Sequence, residues 1–475
     1  MYDLAIIGGG VVGGLVLREL SKYQLSVCLL EKEGDVSMGQ SKANSGIVHA
    51  GFDAAPGTLK AKFNLVGNRM MPEVAKELGV KYENNGSLVV AFSEEELKTL
   101  ASLKARGEQN GVEGLTIVEQ KRLREMEPNI SENALGALYA PTGGIICPYE
   151  LTIAAIGNAM DNGADLFLDF AVSKIEGDYP AFRIFSENGQ TVEAKAIVNC
   201  AGLGSERIAN LVGDTSFHVG GRKGQYLLLD HDESVVNHTL FFTPTEKGKG
   251  ILVSQTVDHN ILLGPTAVEV DEEYKGTTPD ENALILQKAQ QMCNNLPLRT
   301  VITAFSGVRA YCDRHDFILE ESAAKKGFFH CAGVESPGLT SAPAIAKYVA
   351  ETFAGKYFEL KQKADFNPYR KPDYFFKNLS NEEKNELIKK EPAYGRMICR
   401  CESITEGEIL RAIRENPKAR DVDGIKRRTR AGMGRCQGGF CQPIVMSLLM
   451  RELGLSPEQV TKCGSGSELL VGKCK

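Results

Sequence analysis

Four cysteines near the C-terminus stand in two close pairs, Cys399-Arg400-Cys401 and Cys436-Gln437-Gly438-Gly439-Phe440-Cys441, with 34 residues between the pairs. Thiolates grouped in this way hold zinc or a [2Fe–2S] cluster. A Cys-x-Cys pair is unusual for structural zinc, and Gly438 and Gly439 leave backbone N–H groups free to turn toward sulfur. Three other side chains carry chemistry of a different kind. Arg309, in Ser306-Gly307-Val308-Arg309, presents a planar fork to a carboxylate or phosphate. His49 sits between apolar neighbours, and an unperturbed imidazole has a pKa suited to proton transfer near neutral pH. Tyr226 lies on an alternating strand suited to face a substrate. A last group, Gly8, Gly10, Gly13 and Glu31, has the spacing that receives a dinucleotide.

The elements that must position these groups begin with the first thirty-odd residues. Leu4 to Ile7 is an apolar run, the glycines follow at once, Leu15 to Tyr23 reads as a helix, and Ser26 to Leu30 as a second buried strand ending at Glu31. Gly8 permits the tight turn, Gly10 lets backbone approach a pyrophosphate, and Gly13 lets the helix close on the sheet. The helix N-terminus supplies free N–H groups to that pyrophosphate, and Glu31 is placed to accept from a ribose. Residues 58–80 and 94–127 look helical, as does Pro148 to Asn162. Short strands follow around 165–186, with hairpin chemistry at Glu187-Asn188-Gly189. Between about 215 and 310 the pattern becomes alternating strands, the pattern of an antiparallel platform. Phe328 to Gly333 is a last parallel strand before the helix Ala342–Phe353, and residues 356–395, with Pro368 and Pro372, read as a linker.

Length and charge narrow the classes. A chain of 475 residues exceeds one core and suggests about two or three domains. The net charge of −6 argues against general nucleic-acid binding, and no apolar run is long enough to span a bilayer. With the first strand starting at Tyr2 there is no room for a signal peptide, which points to the cytoplasm. Cys28, Cys147, Cys200, Cys293, Cys312 and Cys331 are scattered singly and read as buried small hydrophobes, while Cys463 and Cys474 lack a matching pair. In the run Lys426-Arg427-Arg428-Thr429-Arg430, two readings compete, a solvated basic face and a docking site for an acidic partner.

The opening motif, the Ser41-to-Phe52 stretch, N-C-A-G-L-G-S, R-K-G-Q-Y, S-G-V-R and the final S-P-G-L-T resemble the D-amino acid oxidase-like flavoproteins, over about residues 1–355. Within these the chain is most similar to the glycerol-3-phosphate dehydrogenases and L-2-hydroxyglutarate oxidases. The segment after residue 396 resembles the bacterioferritin-associated-ferredoxin-like [2Fe–2S] domain. The resemblance implies an α/β fold. A Rossmann-like FAD-binding domain (1–80, 145–214 and 325–355) carries an antiparallel-sheet substrate domain (81–144 and 215–324). Linker 356–395 then leads to a small helical iron–sulfur domain (396–475).

It also implies FAD contacts at Gly8, Gly10, Gly13, Glu31, Ser45, Gly46, Ala201, Gly202, Gly333, Gly338 and Leu339, and a cluster on Cys399, Cys401, Cys436 and Cys441. Arg309 stands where related enzymes keep a substrate arginine, and His49 where they place a histidine near the flavin. The activity implied is oxidation of a small anionic hydroxy compound, sn-glycerol 3-phosphate first and L-2-hydroxyglutarate second. Electrons would leave through the cluster to a redox partner protein or subunit, through which peripheral membrane association could arise; the chain could also be an electron-transfer subunit alone. The chain departs from the aerobic glycerol-3-phosphate enzymes at Asp53 and at Ser336-Pro337-Gly338, both of which remove positive charge. Lys42, Lys60, Arg222 or Lys223 are the candidates to replace it.

Overall fold

The opening apolar run becomes an inner strand of a sheet covered on both faces, which is why it has no polar alternation. Tyr2–Ile7 pairs in parallel with Val27–Leu30 on one edge and with Thr191–Asn199 on the other. Asp165–Phe167 and Phe328–Ala332 extend this parallel core outward, and Ile318–Glu321 closes it antiparallel. The hairpin Val172–Asp178 and Ala181–Ser186 leans on the first half of Thr191–Asn199. One face carries the helices Val11–Ser21, Pro148–Asp161 and Gly338–Tyr348, packed through Leu15, Ile156 and Ile345. The other packs Phe170, Phe182 and Phe328. The computed structural model describes residues 1–231, 235–244, 250–270, 274–370 and 375–472; Pro372 and Cys474 lie outside the described residues.

A nine-stranded sheet stands over the strand ends. Its spine is the long antiparallel pair Val219–His231 and Val301–Cys312. Asn260–Gly264, Leu252–Gln255 and Thr239–Phe242 continue it, and Ser87–Ala91 joins in parallel with Thr239–Phe242. Two segments differ from the sequence reading. Residues 94–127 are not one helix: Glu94–Gln109 ends, Gly111 and Gly114 turn at positive φ, and Thr116–Glu119 is a strand before the short helix Gln120–Met126. Inside the strand-rich region lies a helix, Pro279–Met292, capped by Thr278 and burying Ile285, Ala289 and Met292 against the far face of the sheet.

The C-terminal unit has its own core. Thr405 and Glu408 close a reciprocal capping box at the start of Glu406–Arg414, and Ile409 and Ile413 pack on Val445, Leu448 and Leu449 of Gln442–Leu453. The stretch read as a linker is stapled down over its first part. Lys363 N–H donates to Lys22 O and Arg370 N–H to Glu77 O, both at 2.8 Å, while buried Arg18 reaches Pro368 O. Among the described residues, no helix is long and apolar enough to cross a membrane.

Candidate cofactor and substrate sites

The glycine turn is built by contacts that exclude side chains. A Cβ on Gly8, at φ 112°, would sit 2.4 Å from Cys200 O, and one on Gly13 would sit 2.0 Å from Gly8 O. Neither position admits any other residue. Gly10 is different: its Cβ would meet only Ser41 Oγ, at 3.2 Å. Ser41, at the start of the Ser41-to-Phe52 stretch that carries part of the resemblance, accepts from Val11 N–H at 2.8 Å. Glu31 accepts from Gly9 N–H at 2.6 Å and from Glu33 N–H at 3.0 Å. Burial pushes its acid up to about 7 against those two bonds.

The residues present fit a flat dinucleotide. Ser37 Oγ and Gln40 Oε1 are buried with no hydrogen-bond partner, and added Cβ atoms on Gly39 and Gly202 would meet nothing within 4 Å. Buried polar atoms normally find partners, so orphans beside open backbone mark the side a polar ligand occupies. Gly202 follows Ala201, whose Cα lies 3.0 Å from the would-be Gly8 Cβ, so this turn abuts the glycine turn. The other glycines have packing reasons of their own. Gly46 at φ 66° lies against Ile146 O, Gly333 at φ 62° against Cys312, and Gly338 against Val334. Leu339 packs on the main core.

Strand alternation sorts the charged residues of the upper sheet. Residues directly opposite on paired strands share a face, so the pairs Arg222–Arg309, Gly224–Gly307 and Tyr226–Phe305 line one side. That side looks down on the 40–46 segment: a Cβ on Gly307 would lie 2.0 Å from Ala43 O. Tyr226 stacks on Phe305 at 4.9 Å. Burial raises its phenol pKa, while the Arg309 charge and a hydrogen bond with Ser45 draw it down. Ser45, Tyr226 and Arg309 are thus brought together. Arg309 Nη2 donates to Thr266 O at 3.0 Å, and its Nε is buried without a partner. Lys223 lies on the opposite face, paired with Glu281 of the helix Pro279–Met292 at 2.7 Å, so it cannot reach the same ligand.

His49 is anchored from three directions. Its N–H donates to Thr340 Oγ1 at 2.9 Å, and its carbonyl accepts from Asn64 and Asn68. The ring stands 6.0 Å from that of Phe241, and Nε2 lies 3.3 Å from Ser336 Oγ. The roles of Thr340, Asn64 and Asn68 were not read from sequence, because each meets the backbone of His49, which lies 291, 15 and 19 residues away. Lys60 binds Glu335 at 2.8 Å, next to Ser336. Arg222 lies over the Tyr311 ring, with Glu269 at 3.6 Å and Glu335 at 3.9 Å.

The C-terminal thiols stand as two neighbouring pairs, Cys401 with Cys436 at 3.6 Å and Cys399 with Cys441. Among the described residues no three His, Cys, Asp or Glu side chains converge on one point as a single ion requires. Cys399 is held down to about 6 by a hydrogen bond from Cys441 and by backbone N–H groups of Gly432 and Glu402. The same bond pushes Cys441 up, so the charge rests on Cys399. Cys436 is lowered by N–H groups of Phe440, Gly438 and Gly439. Thiolate acceptors ringed by backbone N–H suit an iron–sulfur cluster. Cys399 and Cys441 are buried, whereas Cys401 is exposed.

The arginines of the basic run fit neither of the two readings of the sequence. Arg427 and Arg428 bind Asp35 at 2.5 and 2.8 Å, and Arg430 binds Asp258 at 2.7 Å and Glu402 at 2.8 Å, all with nearly buried side chains. These arginines are neither a solvated face nor a free docking surface; they bolt the cluster unit to the rest of the chain. Tyr149 OH, facing Met433 Sδ at 3.6 Å, and Arg435, paired with Asp230, add to the seam.

Comparison with known proteins agrees with this division. Residues 3–352 match the family described as FAD dependent oxidoreductase, and residues 397–451 match the BFD-like [2Fe-2S] binding domain. A glycerol 3-phosphate dehydrogenase of Caloramator mitchellensis is 49% identical over 100% of this chain and 99% of its own. A glycerol 3-phosphate oxidase of Mycoplasma genitalium is 34% identical over 77% of this chain and 97% of its own. Among solved structures, the L-alpha-glycerophosphate oxidase of Mycoplasma pneumoniae with FAD bound superposes with a TM-score of 0.74 at 29% identity, covering 78% of this chain and 98% of that one. With a family match running from residue 3 to residue 352 over this geometry, the chain belongs to the FAD-dependent oxidoreductases and carries a [2Fe–2S]-binding domain behind the flavoprotein fold.

Proposed function

We propose that the protein oxidises sn-glycerol 3-phosphate to dihydroxyacetone phosphate and sends the electrons out through its C-terminal cluster to a redox partner. The observation that carries this reading is the 49% identity, over the whole length of both chains, to a glycerol 3-phosphate dehydrogenase. The match includes the cluster unit as well as the flavoprotein. Bound FAD supplies a two-electron acceptor beside the substrate carbon, and the cluster supplies a one-electron outlet.

The chain's own residues do the rest. Gly8, Gly10, Gly13 and the helix N-terminus receive the pyrophosphate, and Glu31 accepts from the ribose. Ser45, Gly46, Ala201, Gly202, Gly333, Gly338 and Leu339 frame the remaining length of FAD. Arg309 offers its unpartnered Nε and a neighbouring Nη to the substrate phosphate. His49 Nε2, held near Ser336, takes the hydroxyl proton as the C–H bond breaks. Tyr226, between Ser45 and Arg309, fixes the arginine fork and closes the site against water. Cys399, Cys401, Cys436 and Cys441 hold the cluster, and exposed Cys401, beside exposed Arg400 and Phe440, is where a partner takes electrons. Eleven described cysteines without a disulfide fit a reducing compartment.

Anaerobic titration of the holoenzyme tests the reading. sn-Glycerol 3-phosphate should bleach the flavin absorption at concentrations where L-2-hydroxyglutarate does not. Bleaching by the hydroxy acid alone would transfer the assignment to that substrate, and bleaching by neither would leave an electron-transfer subunit.

A further inference from the structure

We infer that Asp35 is a positioning residue shared by the two cofactor sites. Through it, docking of the C-terminal unit holds the loop that carries Glu31, so that FAD binding and docking strengthen one another. Asp35 lies between Glu31 and Ser37 in a segment engaged by the glycine turn at both ends. Glu31 accepts from Gly9 N–H, and Ser37 N–H donates to Gly9 O at 2.9 Å. Between these anchors the Asp35 carboxylate accepts from Arg427 Nη2 at 2.5 Å and, through both oxygens, from Arg428 at 2.8 Å. Side-chain exposures are 2% for Asp35, 6% for Arg427 and 7% for Arg428.

A carboxylate at this depth is tolerated only while paired, because losing its partners leaves an uncompensated charge out of reach of water. When the C-terminal unit lifts away, both guanidinium groups leave together. The loop between Glu31 and Ser37 then loses the contacts that pin Asp35, and Glu31 and Ser37 are held less firmly. In the other direction, a dinucleotide that orders Glu31 presents Asp35 to its arginines. Linkage makes the two effects equal in size. The match to the FAD dependent oxidoreductase family ends at residue 352, so the arginine helix Val422–Thr429 lies outside the flavoprotein part of the chain.

The inference rests on the reading of Glu31 as a ribose acceptor, and the test separates the two. FAD-depleted full-length protein is titrated with FAD, following flavin fluorescence. Arg428→Met should raise the FAD dissociation constant about tenfold, and Arg428→Lys, which keeps a charge beside Asp35, should recover part of that loss. Glu31→Ala alone reports on the ribose contact: if it leaves FAD affinity unchanged, that reading fails whatever Arg428 does. Should Arg428→Met not fold, hydrogen exchange on the unaltered protein decides. FAD should slow exchange in Val422–Thr429 more than in Pro279–Met292, which packs on the far face of the upper sheet. Equal slowing in the two helices, or an unchanged FAD dissociation constant in folded Arg428→Met, overturns the inference.

Discussion

Replacing Arg309 by lysine keeps the charge and removes the fork. In the structure the guanidinium uses one N–H on Thr266 O, at 3.0 Å, while Nε is buried and unpaired. A buried donor without a partner costs about 1–3 kcal/mol, a cost that disappears when a phosphate oxygen arrives. Lysine has no Nε to restore, and its single ammonium cannot satisfy Thr266 and two phosphate oxygens in one plane. The loss is then one charge-assisted hydrogen bond, about 1.5–3 kcal/mol, or roughly 10- to 150-fold in kcat/KM. Uncharged glycerol makes no such contact and should lose little. The assay is anaerobic stopped-flow bleaching of the flavin in both proteins with sn-glycerol 3-phosphate, L-2-hydroxyglutarate and glycerol. Equal losses on charged and uncharged substrates would refute the assignment. Arg309 would then serve the sheet, and Arg222, on the same face, would be the next residue to change.

Glu31 ties stability to pH. Its acid is raised from 4.5 to about 7 by burial, so the folded FAD-free protein binds more protons than the unfolded chain between those values. The contribution of Glu31 to stability should fall as pH rises from 4.5 to about 7 and level off above, by on the order of 3 kcal/mol. Urea unfolding at pH 5 and pH 8 should show this slope flattened in Glu31→Gln; parallel curves for both proteins would contradict it. Cys436→Ser should abolish the long-wavelength absorption of the cluster while the flavin bands persist, because the core of the C-terminal unit is built from Ile409, Leu449 and their neighbours rather than from that thiol. Loss of both chromophores together would count against separate sites. Gly307→Ala would place a methyl 2.0 Å from Ala43 O, and should lift the upper sheet and slow bleaching by substrate at least tenfold with little change in FAD binding; an unaffected rate would mean that the sheet does not rest on this segment.

Local pattern made the flavoprotein half legible. The glycine turn, Glu31 and the parallel strands each follow from a few neighbouring residues. The helix Pro279–Met292 carried its own start signal, Thr278-Pro279-Asp280-Glu281, but lay inside a region of strand alternation that masked it. The split of 94–127 was hidden by charged residues common to helices and exposed turns alike, with only Gly111 and Gly114 to mark the break. The arginines of the basic run could not be placed from sequence at all. Arg428 finds Asp35 across 393 positions and Arg430 finds Asp258 across 172, and no short-range pattern encodes a partner at that distance.

The same limit applies to the charge that must meet a phosphate. Lys42, Lys60, Arg222 and Lys223 were equal candidates in the sequence. Adjacent residues of a strand point to opposite faces, so Arg222 and Lys223 were always exclusive alternatives; which one faced the cofactor depended on which face carried the glycine. Gly307 against Ala43 O puts Arg222, and not Lys223, on the face toward the 40–46 segment. Lys223 is neutralised by Glu281 at 2.7 Å and Lys60 by Glu335 at 2.8 Å. Arg222 meets its carboxylates only at 3.6 and 3.9 Å, beyond a direct hydrogen bond, and so keeps its donors for a ligand. A phosphate carries more charge than a carboxylate and gains more from a second guanidinium on the same face. The pairing of Arg222 with Arg309 across two strands therefore puts two guanidinium groups on the face that meets the 40–46 segment, a charge suited to a dianionic substrate.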